Sequence, residues 1–308
     1  MTYQATRTGV LGTVVELRLD ADPSAVAEAE QQAWSTFERL ESVFSTFRAD
    51  SQLSRWRSGQ AECSPELFAV LSRAALWHQR SQGAFHPATA ALTARWRQAE
   101  REATMPSAAE LAELCDQPLP FRIEGDTVAR IADCSTVDLN AIAKGYIVDC
   151  AASAAASISG VDSVVVNAGG DLRHRGAGSI RVGIEDPFQP FDNAPPRWRV
   201  SLSNAALATS GSARRGFRVG EQWLGHVLDP RSGYPVAHTA SISVLAASAM
   251  DADALATVLG VLPGDQALQF AARYRIGCLL VDASARVHVS QDWPADPPAT
   301  TPGPASQH

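Results

Sequence analysis

The sequence has little positive charge to offer a polyanion. Its formal net charge is -7 over 308 residues, and its densest basic run is the three-residue segment 173–175 (Arg-His-Arg). Binding to nucleic acid depends largely on cationic side chains that neutralise phosphates, so we do not expect a nucleic-acid partner. Short basic runs usually lie in solvated turns, and we expect Arg173, His174 and Arg175 to lie in one.

Long apolar runs are also missing. No apolar stretch approaches the roughly 20 residues that cross a membrane, and residues 1–7 (MTYQATR) lack the apolar core of a secretory signal. The five cysteines are odd in number, and their spacing fits no zinc-binding pattern. We expect reduced thiols in a reducing compartment, which predicts a cytoplasmic protein without a membrane partner.

Several common active-site motifs are absent. The sequence contains no Gly-x-Gly-x-x-Gly after a predicted strand, no P-loop, no His-Glu-x-x-His and no Gly-x-Ser-x-Gly elbow. These absences argue against a doubly wound dinucleotide-binding sheet, a P-loop nucleotide site, a zinc metalloprotease and a hydrolase of the nucleophile-elbow type.

Hydrophobic periodicity predicts mixed helices and strands. Helices are predicted from about residue 24, with Trp34, Phe37, Leu40 and Phe44 on one face, and over 67–79, 107–114, 141–157, 249–262 and 265–274. Strands are predicted over 10–20, 164–166, 181–184, 197–203, 206–209, 213–219, 241–247, 276–282 and 285–289. Without a regular βαβ rhythm, this pattern predicts an α+β fold. We expect one domain over residues 1–292 and a disordered proline-rich tail over 293–308.

A lysine lies inside a predicted apolar helix. Lys144 stands between Ala143 and Gly145 in the segment 137–146 (VDLNAIAKGY), and an ammonium group is costly to bury without a partner. Phosphate is a good partner, so Lys144 is a candidate phosphate ligand. From spacing alone the favoured alternative is that Lys144 reaches solvent and Asp138 caps the helix.

Two glycine-containing segments are candidates for ligand contact. Residues 167–171 (NAGGD) follow a predicted buried strand, and paired glycines allow either a close approach of backbone to a ligand or a tight turn. Residues 209–211 (TSG) combine small hydroxyl side chains with glycine, which suits phosphate or carbonyl contacts.

Three further segments each have two interpretations. His226 could be a general base, with an ordinary pKa near ~6.5, or a structural histidine beside the turn 229–233 (DPRSG), which the residues alone favour. Residues 45–48 (STFR), followed by Ser51, could line an aromatic pocket or end a helix. His86 is predicted to be structural.

Carboxylates mark the start of the helix predicted at 249–262. Ser248 and Asp251 fit a capping box, which gives Asp251 a structural role. Asp253 and Thr257 then lie four residues apart on one helical face. Their oxygens could bind one hard cation with help from backbone, water or phosphate. The alternative is a hydrogen bond between the two side chains or simple solvation.

Taken in order, these segments resemble the ApbE family of flavin transferases over about residues 9–282. The resemblance is carried by Gly12-Thr13, segments 45–48 and 83–87 (GAFHP), and five more specific pieces. Those pieces are Asp138 to Gly145, Asn167 to Asp171, Thr209-Ser210-Gly211, His226 to Pro235 and Ala252 to Thr257. Family patterns differ at Phe47 (usually Tyr), His86 (usually Asp), Ser232 (usually Thr) and Asn140-Ala141 (usually Gly-Gly).

The resemblance implies a T-fold-like α+β domain that binds FAD in a cleft. It implies a Mg²⁺ ion on the pyrophosphate, held by Asp253, Thr257 and a backbone carbonyl at Ala143. It also implies that FMN is moved to a Thr or Ser hydroxyl in a short motif of a partner flavoprotein, while AMP leaves. Many relatives are exported lipoproteins, whereas this chain implies a cytoplasmic target.

Roles follow for individual residues under that resemblance. His226 and Asp253 would be catalytic, with His226 as the base, and Phe47 could stack on a flavin or adenine ring. The residues expected to contact FAD are Phe47, Ser51, Asp138, Lys144, Gly169, Gly170, Asp171, Thr209, Ser210 and Gly211.

Two other functions stay open at this point. A Mg²⁺-dependent FAD pyrophosphatase would use the same groups, because water and a protein hydroxyl are chemically similar nucleophiles. A flavin-binding protein without catalysis is the third possibility, and the presence of His226, Asp253 and Thr257 argues against it.

Overall fold

An antiparallel sheet organises the chain. The computed structural model describes residues 1–115, 117–191 and 194–294. The strands of the main sheet are β1 (Thr2–Val10), β2 (Thr13–Ala21), β5 (Val161–Ala168), β6 (Asp171–Gly176), β9 (Ala206–Gly211), β12 (Thr239–Ala246), β13 (Gly277–Asp282) and β14 (Val287–Val289). Within the described residues these eight strands lie in the order β1-β2-β5-β6-β9-β12-β13-β14, and each neighbouring pair is antiparallel.

Short ribbons and helices complete the fold. The ribbons pair β3 (Phe121–Glu124) with β4 (Thr127–Arg130), β7 (Ile180–Ile184) with β8 (Trp198–Leu202), and β10 (Gly216–Val219) with β11 (Gln222–Gly225). The helices are α1 (Val26–Phe44), α2 (Gln52–Arg57), α3 (Pro65–Arg80), α4 (Ala90–Glu102), α5 (Ala108–Leu114), α6 (Ala143–Ala156), α7 (Ala249–Val261) and α8 (Gly264–Tyr274). The predicted α+β class is confirmed.

The N-terminal hairpin differs from the strand predicted over 10–20. Leu11 and Gly12 have positive φ angles of 51° and 70°, so the chain turns there and β2 begins at Thr13. β2 has the expected alternation, with Val15, Leu17 and Leu19 buried. β1 was not predicted because it is a polar edge strand.

Most strongly periodic segments fold as predicted. Trp34, Phe37, Leu40 and Phe44 are buried on one face of α1, and the helices predicted over 67–79, 107–114, 141–157, 249–262 and 265–274 are present as α3, α5, α6, α7 and α8. The elements absent from the sequence prediction are α2, α4, β1, β3, β4, β6 and β11.

The basic run 173–175 lies in β6, so its prediction as a solvated turn is wrong. β6 is flanked by β5 and β9, and this central position buries Arg173 and His174. The Arg173 guanidinium lies 3.5 Å from the carboxylate of Asp149 on α6. The backbone amide of Asn204 donates to His174 Nδ1 at 3.1 Å.

Different elements pack against the two faces of the main sheet. Helices α6 and α7 pack against the central strands on one face. On the other face the β7–β8 ribbon forms a separate apolar cluster with Leu172 and Leu207. Trp293 packs against that cluster, and residues 295–308 of the predicted tail lie outside the described residues.

Disulfides and membrane-spanning helices are both absent from the part of the chain that the structure describes. Among the described residues, the cysteines form no disulfide with one another. Over the described ranges, none of the helices combines the length and the apolar character that crossing a bilayer needs. The cytoplasmic location stays a prediction.

Each of helices α6 and α7 supplies a carboxylate that binds backbone amides at the N-terminal end of the other helix. Asp149 on α6 accepts hydrogen bonds from the backbone amides of Ala249 (2.9 Å) and Met250 (3.0 Å) at the start of α7. In return, Asp253 on α7 accepts one from the amide of Gly145 (3.1 Å) in the first turn of α6. Amides at a helix N-terminus lack intrahelical partners, and the helix dipole favours negative charge there. Each helix therefore stabilises the start of the other.

The same two helices come into backbone contact at Gly145. A Cβ atom at this position would overlap the carbonyl group of Ala249 and lie 2.7 Å from the amide nitrogen of Met250. Backbone atoms cannot rotate away as a side chain can, so any larger residue must push the helices apart. Gly145 is required by this packing.

We therefore predict that Gly145→Ala lowers the free energy of unfolding by about 1–3 kcal/mol, the usual cost of overpacking a core. Urea denaturation measures this change. Gly264→Ala is the matched control, because a Cβ at this first residue of α8 would meet only His288 ring atoms, at 3.8 Å or more. The control should change stability by no more than about 1 kcal/mol. Equal effects of the two substitutions would contradict the account of the helix contact.

Candidate active site

A buried ion pair links α6 to the sheet. The ammonium of Lys144, the second residue of α6, pairs with the Asp171 carboxylate at the start of β6. The Lys144 side chain is 19% exposed and that of Asp171 is 4% exposed. The solvent-reaching alternative for Lys144 is therefore wrong, because Asp171 supplies the partner that burial requires.

The glycine pair places Asp171. Gly169 and Gly170 form the two-residue turn between β5 and β6, with φ angles of 59° and 102°. Such turns need positive φ at both positions, which favours glycine. A Cβ on Gly169 would also overlap the hydroxyl of Thr13. The tight-turn interpretation is confirmed, and it delivers the Asp171 carboxylate directly to Lys144.

Asp253 is a second buried carboxylate beside Lys144. Burial raises the pKa of Asp253, while the charge of Lys144, the hydrogen bond from the Gly145 amide and the charge of Arg215 lower it. Conversely, burial lowers the pKa of Lys144, and the charge of Asp253 raises it. The two groups thus share one electrostatic environment at the N-terminal end of α6.

The start of α7 has the structural role expected for Asp251. The Ser248 hydroxyl accepts a hydrogen bond from the Asp251 amide at 3.1 Å, and Asp251 Oδ1 accepts one from Trp77 Nε1 at 2.8 Å. These contacts leave Asp253 and Thr257 as the pair one helical turn apart on α7. Ala143, the third predicted metal ligand, is the first residue of α6.

Within the described ranges, no group of three or more His, Cys, Asp or Glu side chains is arranged to hold a metal ion. A cation near Asp253 would therefore need hydroxyl, backbone, water or phosphate oxygens as well, which is the kind of set predicted with Thr257 and Ala143. These assignments stay predictions.

His226 follows β11 and faces the carbonyl of Arg215. Both the backbone amide (3.2 Å) and the ring Nδ1 (3.3 Å) of His226 lie within reach of that oxygen. Burial lowers the pKa of His226, and the contact with the Arg215 carbonyl raises it. The positive charges of Arg215, Lys144 and Arg97 lower the pKa further. The charge of Lys144 acts on the pKa values of both His226 and Asp253, so both predicted catalytic residues lie within electrostatic reach of Lys144.

Arg215 was missed by the sequence prediction. Its charge lowers the pKa values of Lys144, Asp253 and His226, so it belongs to the same cluster. The available signal was the adjacent pair Arg214-Arg215 between two candidate segments, 209–211 and 226–235.

Segments 209–211 and 226–235 meet at a small cavity. Ser210 and Gly211 line a cavity of about 20 Å³ together with Gly225 and Val227, the residues on either side of His226. The Thr209 hydroxyl lies 2.8 Å from that of Ser243. Segment 229–233 does form the turn that the residues favour, since Asp229 accepts hydrogen bonds from the backbone amide and the guanidinium of Arg231.

Three other residues predicted to contact FAD lie in different structural environments. The Phe47 side chain is 97% exposed. Ser51 is fully buried and caps α2 by accepting from the Ser54 amide at 3.1 Å. Asp138 accepts from the Asn140 amide at 2.9 Å, and α6 starts after Ile142 without a side-chain cap. The alternative in which Asp138 caps α6 is therefore wrong, and FAD contacts by Phe47, Ser51 and Asp138 stay predictions.

His86 has the structural setting expected for it. Its Nδ1 accepts from the backbone amide of Ala88 at 3.0 Å, and its Nε2 lies 2.7 Å from the carbonyl of Gln117.

Known proteins are similar to this chain in sequence and in fold. The profile of the ApbE family matches residues 11–280. The FAD:protein FMN transferase of Treponema pallidum is 31% identical over 283 residues, which cover 82% of this chain and 77% of the relative. The protein of the same name from Haemophilus influenzae is 28% identical over 296 residues, covering 88% and 84%.

A solved structure has a fold similar to that of this chain. The crystal structure of the ApbE protein from Thermotoga maritima has a TM-score of 0.83 to this chain at 24% identity, and the match covers 94% of this chain and 97% of that one. At this identity the likeness shows a common fold. Together with the profile match over most of the sequence, it confirms the resemblance carried by the motifs. The chain belongs to the ApbE family.

Proposed function

We propose that this protein transfers FMN from FAD to a Thr or Ser hydroxyl of a partner flavoprotein and releases AMP. The observation that carries the proposal is that Lys144 and Asp253 meet at the N-terminal end of α6, within electrostatic reach of Arg215 and His226. The names of the relatives from Treponema pallidum and Haemophilus influenzae support the same reaction.

The cluster suits the pyrophosphate of FAD. Lys144 and Arg215 supply two positive charges near the N-terminal end of α6, where Asp253 occupies the amide of Gly145. A helix N-terminus attracts anions through its amides and its dipole. In this proposal Lys144, held by Asp171, contacts the phosphates.

The residues fit a hard cation on that pyrophosphate. The carboxylate of Asp253 and the hydroxyl of Thr257 are oxygen donors of the kind Mg²⁺ prefers, and burial raises the pKa of Asp253, so its charged form gains from a nearby cation. Asp253, Thr257 and the Ala143 carbonyl would hold the ion. When bound, Mg²⁺ would neutralise charge on the phosphoryl oxygens.

The remaining roles follow from position. In this proposal the backbone amides and hydroxyls of segments 169–170 and 209–211 contact FAD. Phe47 offers an exposed ring for stacking on the flavin or adenine, and Ser51 and Asp138 complete the proposed contacts. His226 is the proposed base for the acceptor hydroxyl.

The first prediction concerns the proposed metal ligand. Asp253→Asn keeps the size of the side chain and removes its charge, so we expect AMP release from FAD to fall by about 10²-fold or more, as when one electrostatic contact to a transition state is lost. Chromatography of FAD, FMN and AMP measures the rate. Mg²⁺ binding by calorimetry should weaken in parallel.

Asp265→Asn is the matched control, because Asp265 is exposed in the first turn of α8. It should leave the rate and Mg²⁺ binding unchanged. Unchanged AMP release by Asp253→Asn would remove Asp253 from the site.

The second prediction concerns pH. A base must be neutral, and burial and the nearby cations hold the pKa of His226 below its usual value. We therefore expect kcat/KM for FMN transfer to fall on acidification with a midpoint below about pH 6.5. In Arg215→Gln, which removes a positive charge near the imidazole, the midpoint should move to higher pH. A pH–rate profile of both proteins tests this, and a midpoint that is the same in both would contradict the placement of Arg215 beside the base.

A further inference from the structure

His226 is held at two points by one acceptor. Its backbone nitrogen lies 3.2 Å from the carbonyl oxygen of Arg215, and its ring Nδ1 lies 3.3 Å from the same oxygen. A carbonyl oxygen accepts hydrogen bonds and cannot donate them. Nδ1 must therefore carry a proton for this contact to be favourable.

We propose that the backbone carbonyl of Arg215 fixes the neutral ring of His226 in the tautomer with its proton on Nδ1, which leaves Nε2 as the atom that accepts a proton. Arg215 is in this sense a positioning residue that acts through its main chain. The chemical meaning of the inference rests on the proposed function, whereas the tautomer itself is a property of the free protein.

The contact is built into the β10–β11 ribbon. Gly216 pairs with Gly225 at the end of that ribbon, and Arg215 and His226 are the next two residues in the same register. A Cβ at Gly216 would overlap the carbonyl oxygen of Leu224, so glycine is required for the strands to approach there. The close pairing brings the Arg215 carbonyl to His226.

The surroundings favour the neutral ring. The charged groups that act on His226 are Arg215 on the same ribbon, Lys144 on α6 and Arg97 on α4, and all three are cations. A second proton on the imidazole would be repelled by each of them and is also disfavoured by burial. One ring nitrogen is therefore unprotonated, and the Arg215 carbonyl decides which one.

The tautomer gives a defined proton path for the proposed transfer. Nε2 takes the proton of the acceptor hydroxyl as the hydroxyl oxygen forms a bond to the FMN phosphorus. The bond from that phosphorus to the bridging oxygen of FAD breaks, and AMP leaves with that oxygen. The proton on Nε2 is then returned to solvent or to the departing phosphate, so the histidine is regenerated.

Nitrogen NMR of the ¹⁵N-labelled protein without substrates tests the inference directly. The His226 ring signals are identified as those lost in His226→Asn. Above the pKa of the ring, Nδ1 should have the chemical shift of a protonated ring nitrogen and Nε2 that of an unprotonated one. The reverse assignment, or averaged shifts that report a mixture, would overturn the proposal.

Two variants separate the main chain from the side chain of residue 215. Arg215→Gln keeps the carbonyl and should keep the same tautomer, although the ring titrates at higher pH. Gly216→Ala should displace the carbonyl and give averaged shifts, with a loss in kcat larger than any change in KM for FAD. A changed tautomer in Arg215→Gln would assign the effect to the guanidinium and contradict the proposal.

Failure of the inference and failure of the proposed function give different results. The NMR measurement uses no FAD and no acceptor, so it can show the Nδ1-protonated ring in a protein that transfers no FMN. In the converse case, FMN transfer by a protein with the Nε2-protonated ring would overturn the inference alone.

Discussion

Helices α6 and α7 depend on each other's carboxylates. Asp149 caps the start of α7 and Asp253 binds an amide at the start of α6, while Gly145 lets the two backbones touch. Burial raises the pKa of both carboxyl groups, so neither would be charged at low cost without the amides opposite it. This exchange fixes the position of Lys144 one residue before Gly145, and hence the position of the whole cluster relative to the sheet.

The cluster balances opposite charges. Lys144 pairs with the carboxylate of Asp171 and interacts electrostatically with Asp253, and Arg215 adds a second cation that also acts on His226. An additional dianionic ligand would interact favourably with the two cations, while the buried carboxylate of Asp253 would favour a bound metal cation. The same positive charges keep the histidine neutral, so the features that suit phosphate binding also suit a general base.

Sequence periodicity predicts the long elements well, because one buried face repeats along α1 and α3 and can be recognised without the rest of the chain. Prediction from periodicity fails where residues distant in the sequence determine whether a segment is buried. β6 contains Arg173 and His174 and was expected to be a solvated turn, yet Asp149 on α6 and the neighbouring strands bury it. From spacing alone Lys144 is expected to reach solvent, because nothing nearby in the sequence shows that Asp171 pairs with it. The family resemblance identifies Lys144, Asp253, Thr257 and His226 as one group of site residues. Arg215, in contrast, is placed near His226 only by the pairing of β10 with β11.

The most direct test of FMN transfer is mass spectrometry of a protein domain carrying a threonine acceptor motif, incubated with this enzyme, FAD and Mg²⁺. The account predicts that the acceptor gains the mass of one FMN group on its hydroxyl residue and that one AMP is released for each modified acceptor. An acceptor with that threonine replaced by alanine should gain nothing. Release of AMP and free FMN in equal amounts with no acceptor modified would instead identify a pyrophosphatase, and FAD that is bound but left intact would contradict an enzymatic role.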